Sequence, residues 1–213
     1  MRLNVVASAA VLLLSLAACS QPAETVTHDL ATAPADAFLA AIAAHCGQAY
    51  EGKVVQDTPA PTGKDPFAGQ RLVMHVRGCA DPAHELRIPF HVGDDHSRTW
   101  VLTRTPAGLR LKHDHRHQDG SADAITLYGG DSTPPGTAGR QQFPADADSV
   151  AMFRRADMLA STHNTWAMEI DPDQTFVYEL TRPDGRRFRV QFDLAKPVDL
   201  PPPPWGDEKT PAQ

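Results

Sequence analysis

An alternation of apolar and polar residues with period two, repeated along most of the chain, limits the fold more than any other feature. "RLVMHV" sets Leu72, Met74 and Val76 on one face, and "ELRIPFHV" does the same with Leu86, Ile88, Phe90 and Val92. "TFVYEL" and "RFRVQF" repeat it with Phe176, Tyr178 and Leu180, then Phe188, Val190 and Phe192. Successive side chains of a strand point to opposite faces, so each segment predicts a strand with one buried face. With "AYEGKVV", "RTWVLT", "LRLKHDHRH", "AITLY", "RQQF" and "TWAMEI", the chain offers about ten short strands. Only "PADAFLAAIAAHCG", with Asp36 as N-cap and Gly47 as C-cap, and "DSVAMFRRA" read as helices.

Turn chemistry fixes how neighbouring strands meet, because a slip of one residue would turn an apolar face outward. A three-residue loop Pro183-Asp184-Gly185 sets Leu180 by Phe188, Tyr178 by Val190 and Phe176 by Phe192. A similar loop Pro172-Asp173-Gln174 sets Ile170 by Phe176, Met168 by Tyr178 and Trp166 by Leu180. Ten strands in chain order predict a mainly β, antiparallel up-and-down barrel with an N-terminal helix and one short internal helix. Closure removes the exposed edges that a sheet would otherwise present. A two-sheet sandwich is the alternative.

The ends of the chain fall outside that barrel. "MRLNVVASAAVLLLSLAAC" has one basic residue, Arg2, and an apolar run too short for a stable membrane span. Its ending Leu16-Ala17-Ala18-Cys19 resembles the bacterial lipobox, in which the cysteine is lipidated and becomes the first mature residue. The resemblance implies a signal peptide at 1–18, a lipid on Cys19 and a tether at 19–35. Ser20 after the cysteine is similar to the outer-membrane sorting pattern of enterobacterial lipoproteins, implying an envelope protein facing the periplasm. The barrel domain is expected at 36–196. "KPVDLPPPPWGDEKTPAQ" is too rich in proline for a core element and predicts an extended, mobile tail at 197–213. Removing Arg2 with the leader takes the formal net charge from −6 to −7, and no basic patch offers a footprint for nucleic acid. Once Cys19 is lipidated, Cys46 and Cys79 form an even pair in an oxidising compartment, which predicts a disulfide over a metal site or two free thiols.

A helix, a strand opening "AYEGKV" and then a ten-strand meander resemble lipocalin-like (calycin) barrels. The lipocalin Gly-x-Trp signature is absent; Gly47 and Tyr50-Glu51-Gly52 echo it loosely. The "LKHDHRH…DG…YGG" combination is similar to a family of bacterial secreted proteins, a likeness that implies no function. A calycin-like barrel implies a cavity for a small apolar ligand, here lined by Trp100, Tyr178 and Phe192.

The strand "GLRLKHDHRH" gives that cavity its chemistry. A loop Thr105-Pro106-Ala107-Gly108 pairs Leu102 with Leu111, Trp100 with His113 and Arg98 with His115. A three-residue loop Asp119-Gly120-Ser121 then pairs Leu111 with Gly129, His113 with Leu127, His115 with Ile125 and His117 with Asp123. Three histidines thereby continue the inward face begun by Leu109 and Leu111, from a packed floor to a polar mouth. Three readings fit. They are polar lining, or they share a Zn²⁺ or Cu²⁺ with Asp123 as ligand or orienter, since residues two apart on a strand point the same way. That resembles periplasmic zinc-binding lipocalin-like proteins. The third reading is a cupin-type metalloenzyme, from His113-Asp114-His115 and "GGDSTPPG", although no second-motif histidine follows. No nucleophile elbow or phosphate-binding glycine loop accompanies them, so the expected protein is a non-catalytic binder. A structural lipoprotein with a filled barrel is the alternative. His75 and His91 are expected to face solvent, and the loop at 128–139 is long enough to be a lid over the mouth, or is a passive connection.

Overall fold

The structure is a computed structural model and describes residues 33–60, 62–63, 65–133 and 136–207. The expected leader, Cys19 and nearly all of the tether lie outside the described residues, as do residues 208–213. Helix α1 (Pro34–Ala43) is followed by strands β1 (Ala49–Thr58), β2 (Leu72–His75), β3 (Glu85–Val92), β4 (Asp95–Thr105) and β5 (Gly108–His115). Then come β6 (Tyr128–Asp131), β7 (Arg140–Pro144), helix α2 (Ala147–Arg155) and a 3-10 turn (Leu159–His163). Strands β8 (Thr165–Asp171), β9 (Thr175–Thr181) and β10 (Arg187–Val198) complete the sheet.

The ten strands form one antiparallel sheet in which β1 joins β10, leaving only β6 and β7 at the edges. Two backbone hydrogen bonds cross that last gap, from Thr133 N–H to Gln142 O at 3.0 Å and from Asp146 N–H to Gly129 O at 2.9 Å. The sheet is therefore a nearly closed barrel and not a sandwich. In such a meander, connections leaving odd-numbered strands gather at one end and those leaving even-numbered strands at the other.

Helix α1 closes one end. Pro34 occupies its first turn, where a missing N–H costs nothing, and Phe38, Leu39 and Ile42 enter the barrel core. Asp36 is not the N-cap; Ala33 holds that position without a side-chain bond. Asp36 instead sits in the first turn, where a negative charge suits the helix dipole, and pairs with Arg104 of β4. The helix ends at Ala43, before Gly47, whose φ of 78° and N–H bond to Val76 O turn the chain into β1. Cys46 and Cys79 form the expected disulfide, with Cα atoms 6.2 Å apart and a sequence separation of 33. A loop of that length stabilises by roughly 3–4 kcal/mol in the chain-entropy account.

The registers read from β4–β5, β8–β9 and β9–β10 agree with the structure: Trp100 faces His113, Met168 faces Tyr178 and Phe176 faces Phe192. The sixth strand differs. It is "YGGD", not "AITLY", and it pairs His113 with Tyr128 instead of Leu127. The cause is local hydrogen bonding. Asp123 Oδ1 accepts the Ile125 amide, and Thr126 Oγ1 takes the His115 amide that a ladder partner would have used. Leu127 then adopts φ 57° and is 52% exposed, so Tyr128 takes the inward place.

Three further expectations change. The loop after β6 lies at the α1 end, where Ser132, Thr133 and Gly136 neighbour Ala33 and Pro34, so it cannot be a lid over the opposite mouth. β10 continues through Pro197 and Val198, and the following chain returns over the outer face of the barrel. There Trp205 N–H bonds His96 O at 3.0 Å, and Asp207 lies 3.6 Å from Arg77. His75 and His91 do point outward, but both are buried on that covered face, at 1% and 2% exposure.

Candidate ligand site at the barrel mouth

The end opposite α1 collects the connections that leave odd-numbered strands, and it is not filled. Two adjoining cavities open there, sharing His115, Tyr128, Tyr178 and Leu180 as a partition. The smaller, about 180 Å³, is bounded by Phe67, Phe90, Trp100 and Phe188 with Arg98 and Arg186 at its edge. The larger, about 350 Å³, lies toward α2 and the 3-10 turn and is bounded by Trp166, Phe153, Met158, Asn164 and Arg182.

Aromatic stacking makes the wall rigid. Trp100 stacks on Tyr178 with centroids 4.5 Å apart and on Phe90 at 5.0 Å; His113 stacks on Tyr128 at 4.6 Å. Such pairs add packing energy beyond their buried area and hold ring orientation. Phe192 does not line the mouth. Its ring lies deeper, against Phe90 and over Gly52, where a Cβ would overlap it. Below Trp100 the barrel is packed.

The histidine strand divides along its length. His113 is buried, and both of its ring nitrogens are engaged. Its Nδ1 lies 3.1 Å from the Tyr128 carbonyl, which can only accept, so Nδ1 carries the hydrogen. Nε2 is then the acceptor for the Tyr178 hydroxyl at 2.8 Å. Burial pushes the His113 pKa down to about 3, and the same burial pushes Tyr128 up to about 12. The pair is neutral at pH 7. His115 Nε2 lies 3.1 Å from the Tyr128 hydroxyl, and burial followed by the charge of Arg98 lowers its pKa.

His117 is exposed beyond the end of β5, and Asp123 accepts the Ile125 amide. The structure thus brings His113 and His115 to one wall through Tyr128 and sets Asp123 beside His115 at the larger cavity, its amide bonding the His115 carbonyl at 3.0 Å, while His117 stays outside. Among the described residues, no group of three or more His, Cys, Asp or Glu side chains stands close enough to hold a metal ion.

Several site residues carry no motif: Phe67 in the β1–β2 connection, and Arg182 and Arg186 on either side of the β9–β10 turn. Their signal was positional, because the β1–β2 and β9–β10 connections leave from the same end as the β5–β6 one. Compared with known proteins, the chain matches no family model, no curated protein and no solved structure. The geometry of the mouth therefore carries the functional reading by itself.

Proposed function

We propose that this is a non-catalytic binding protein of the bacterial envelope, anchored by a lipid on Cys19, whose barrel takes a small, largely apolar molecule at its mouth. The observation that carries the reading is an unfilled, aromatic-walled mouth above a packed interior. Concave sites with mostly apolar walls and a few fixed polar groups are the usual form of small-molecule pockets. A structural lipoprotein would need no such opening, and the neutral, mutually bonded His113, Tyr178 and Tyr128 supply no free base or nucleophile.

Leu180 borders both cavities, so filling its position tests the reading. The full chain in neutral detergent should bind the fluorescent probe N-phenyl-1-naphthylamine above the background of protein-free micelles. Leu180→Trp should weaken that binding at least about tenfold, since the added ring occupies the space the probe needs. Equal binding by both proteins would place the probe elsewhere and remove the mouth as a site. Anchoring is tested apart from this. Cys19→Ala should leave an unprocessed precursor, whereas wild-type mature protein with no added mass at Cys19 would end the lipid reading.

A further inference from the structure

Three guanidinium groups stand at the mouth, and they are not equally neutralised. Arg98 donates to Asp95 at 2.6 Å, and Arg186 pairs with Asp57. Arg182 bonds only to neutral side chains, its Nε to Asn164 Oδ1 at 2.6 Å and one Nη to Ser161 Oγ at 3.4 Å. Among the described residues no carboxylate comes within ion-pair distance of it. Burial holds its pKa below the ordinary arginine value; Asp184 opposes this shift and Arg186 adds to it.

A half-buried cation with only neutral partners leaves charge uncompensated in a site that is partly shielded from water. Asn164 and Ser161 fix the guanidinium from one side, which leaves the other Nη nitrogen without a hydrogen-bond partner among the described residues. Arg182 borders the 350 Å³ cavity together with the rings of Tyr128, Trp166 and Tyr178. The one carboxylate that borders the same cavity, Asp123, accepts the Ile125 amide on the His115 side and makes no ion pair with Arg182.

We propose that the larger cavity selects a small aromatic anion, its ring against Tyr128, Trp166 and Tyr178 and its carboxylate, sulfonate or phosphate on Arg182. This rests on the mouth being a ligand site and adds the sign of the ligand's charge. Guanidinium groups pair with such anions through parallel N–H donors, and they stack well beside aromatic faces. A neutral ligand would bury Arg182 further without compensating it, and a cationic one would be repelled.

Two probes with one ring skeleton separate the contributions: 8-anilinonaphthalene-1-sulfonate is an anion, and N-phenyl-1-naphthylamine is its uncharged analogue. With the full chain in neutral detergent, and protein-free micelles as the blank for each probe, the sulfonate should bind about tenfold more tightly or better. Arg182→Gln should lower sulfonate affinity about tenfold and naphthylamine affinity far less, and a urea midpoint close to wild type would show that the variant is folded. Arg182→Lys should retain part of the preference. Equal affinity of wild type for both probes overturns the charge assignment while leaving the mouth as a site, and so does a sulfonate preference that survives Arg182→Gln. Binding of neither probe overturns the mouth itself.

Discussion

Between pH 6.5 and pH 4.5 the protein should lose several kcal/mol of stability, well before its carboxylates are protonated. Three strongly shifted imidazoles dominate this, and His45 and His115, whose pKa values burial also lowers, add to it. His75, His91 and His113 are all buried, and burial pushes their pKa values down to about 4, about 3 and about 3. For His75 the charge of Arg77 adds to burial; for His91 the neighbouring His96, His75 and Arg77 add, and Asp95 opposes. The unfolded chain has histidine near pKa 6.5, so the neutral ring belongs to the native state. The contribution of each group is therefore complete above pH 6.5 and is lost as pH falls from there toward the folded value. At pH 5 each ring costs about 2 kcal/mol relative to neutral pH, and three together approach the whole stability of an ordinary domain. Asp36 and Asp95 have lowered pKa values, so their losses come at lower pH, below the unfolded carboxylate range. Urea midpoints measured at half-unit steps of pH should fall steeply across the window. His75 offers the cleanest variant, because neither of its ring nitrogens has a partner among the described residues. His75→Leu should remove about 2 kcal/mol of the fall at pH 5, and a pH profile parallel to wild type would show that His75 already exchanges protons in the native state.

These histidines also show how far the sequence could be read. Period two assigns a residue to the inner or outer face of a sheet, and it placed His75 and His91 outside correctly. It does not reveal what crosses the outer face. Here the chain after β10 does, with Trp205 bonded to His96 and Asp207 beside Arg77. The long hairpins were legible because apolar residues alternate right up to turns of ordinary length, so only one register buried every large side chain. The sixth strand was misread for the opposite reason. Ile125 and Leu127 alternate as a strand should, while the polar residues between and before them, Thr126 and Asp123, capture backbone amides and bend the chain. A double glycine reads as a turn, yet Gly129 and Gly130 are the centre of β6. The mouth was half legible. Trp100, His113 and Tyr178 follow from register, whereas Arg182 follows only from counting which end each connection occupies. The same count would have moved the loop after β6 to the α1 end.

That double glycine should be the least replaceable pair in the barrel. β6 and β7 close the sheet, and they do so at a distance that only glycine permits. A Cβ on Gly130 would overlap the carbonyl oxygen of Pro144 and crowd the amide of Asp146, which is the group that bonds Gly129 O across the seam. Gly129 has φ 153°, and a Cβ there would overlap the carbonyl oxygen of Leu111. The obstructing atoms are backbone on neighbouring strands, so no rotamer change relieves the clash, and the seam must part. Parting would expose two strand edges and loosen Ser149, whose hydroxyl bonds both the N–H and the C=O of Gly129 and so docks α2 on β6. Overpacking a rigid site costs about 1–3 kcal/mol and broken seam bonds add to it, so Gly130→Val should lose about 4 kcal/mol or more. Gly63→Ala is the matched control, because nothing lies within 4 Å of the added carbon. That variant should stay within about 0.5 kcal/mol of wild type. Urea unfolding at pH 7.5, where the histidines are neutral, separates the two effects. Tyr128 is the residue before the pair and stacks on His113, so the same substitution should also weaken naphthylamine binding at the mouth. A Gly130→Val protein with the control's midpoint would mean that β6 and β7 do not meet in solution, and that the barrel stands open along this seam.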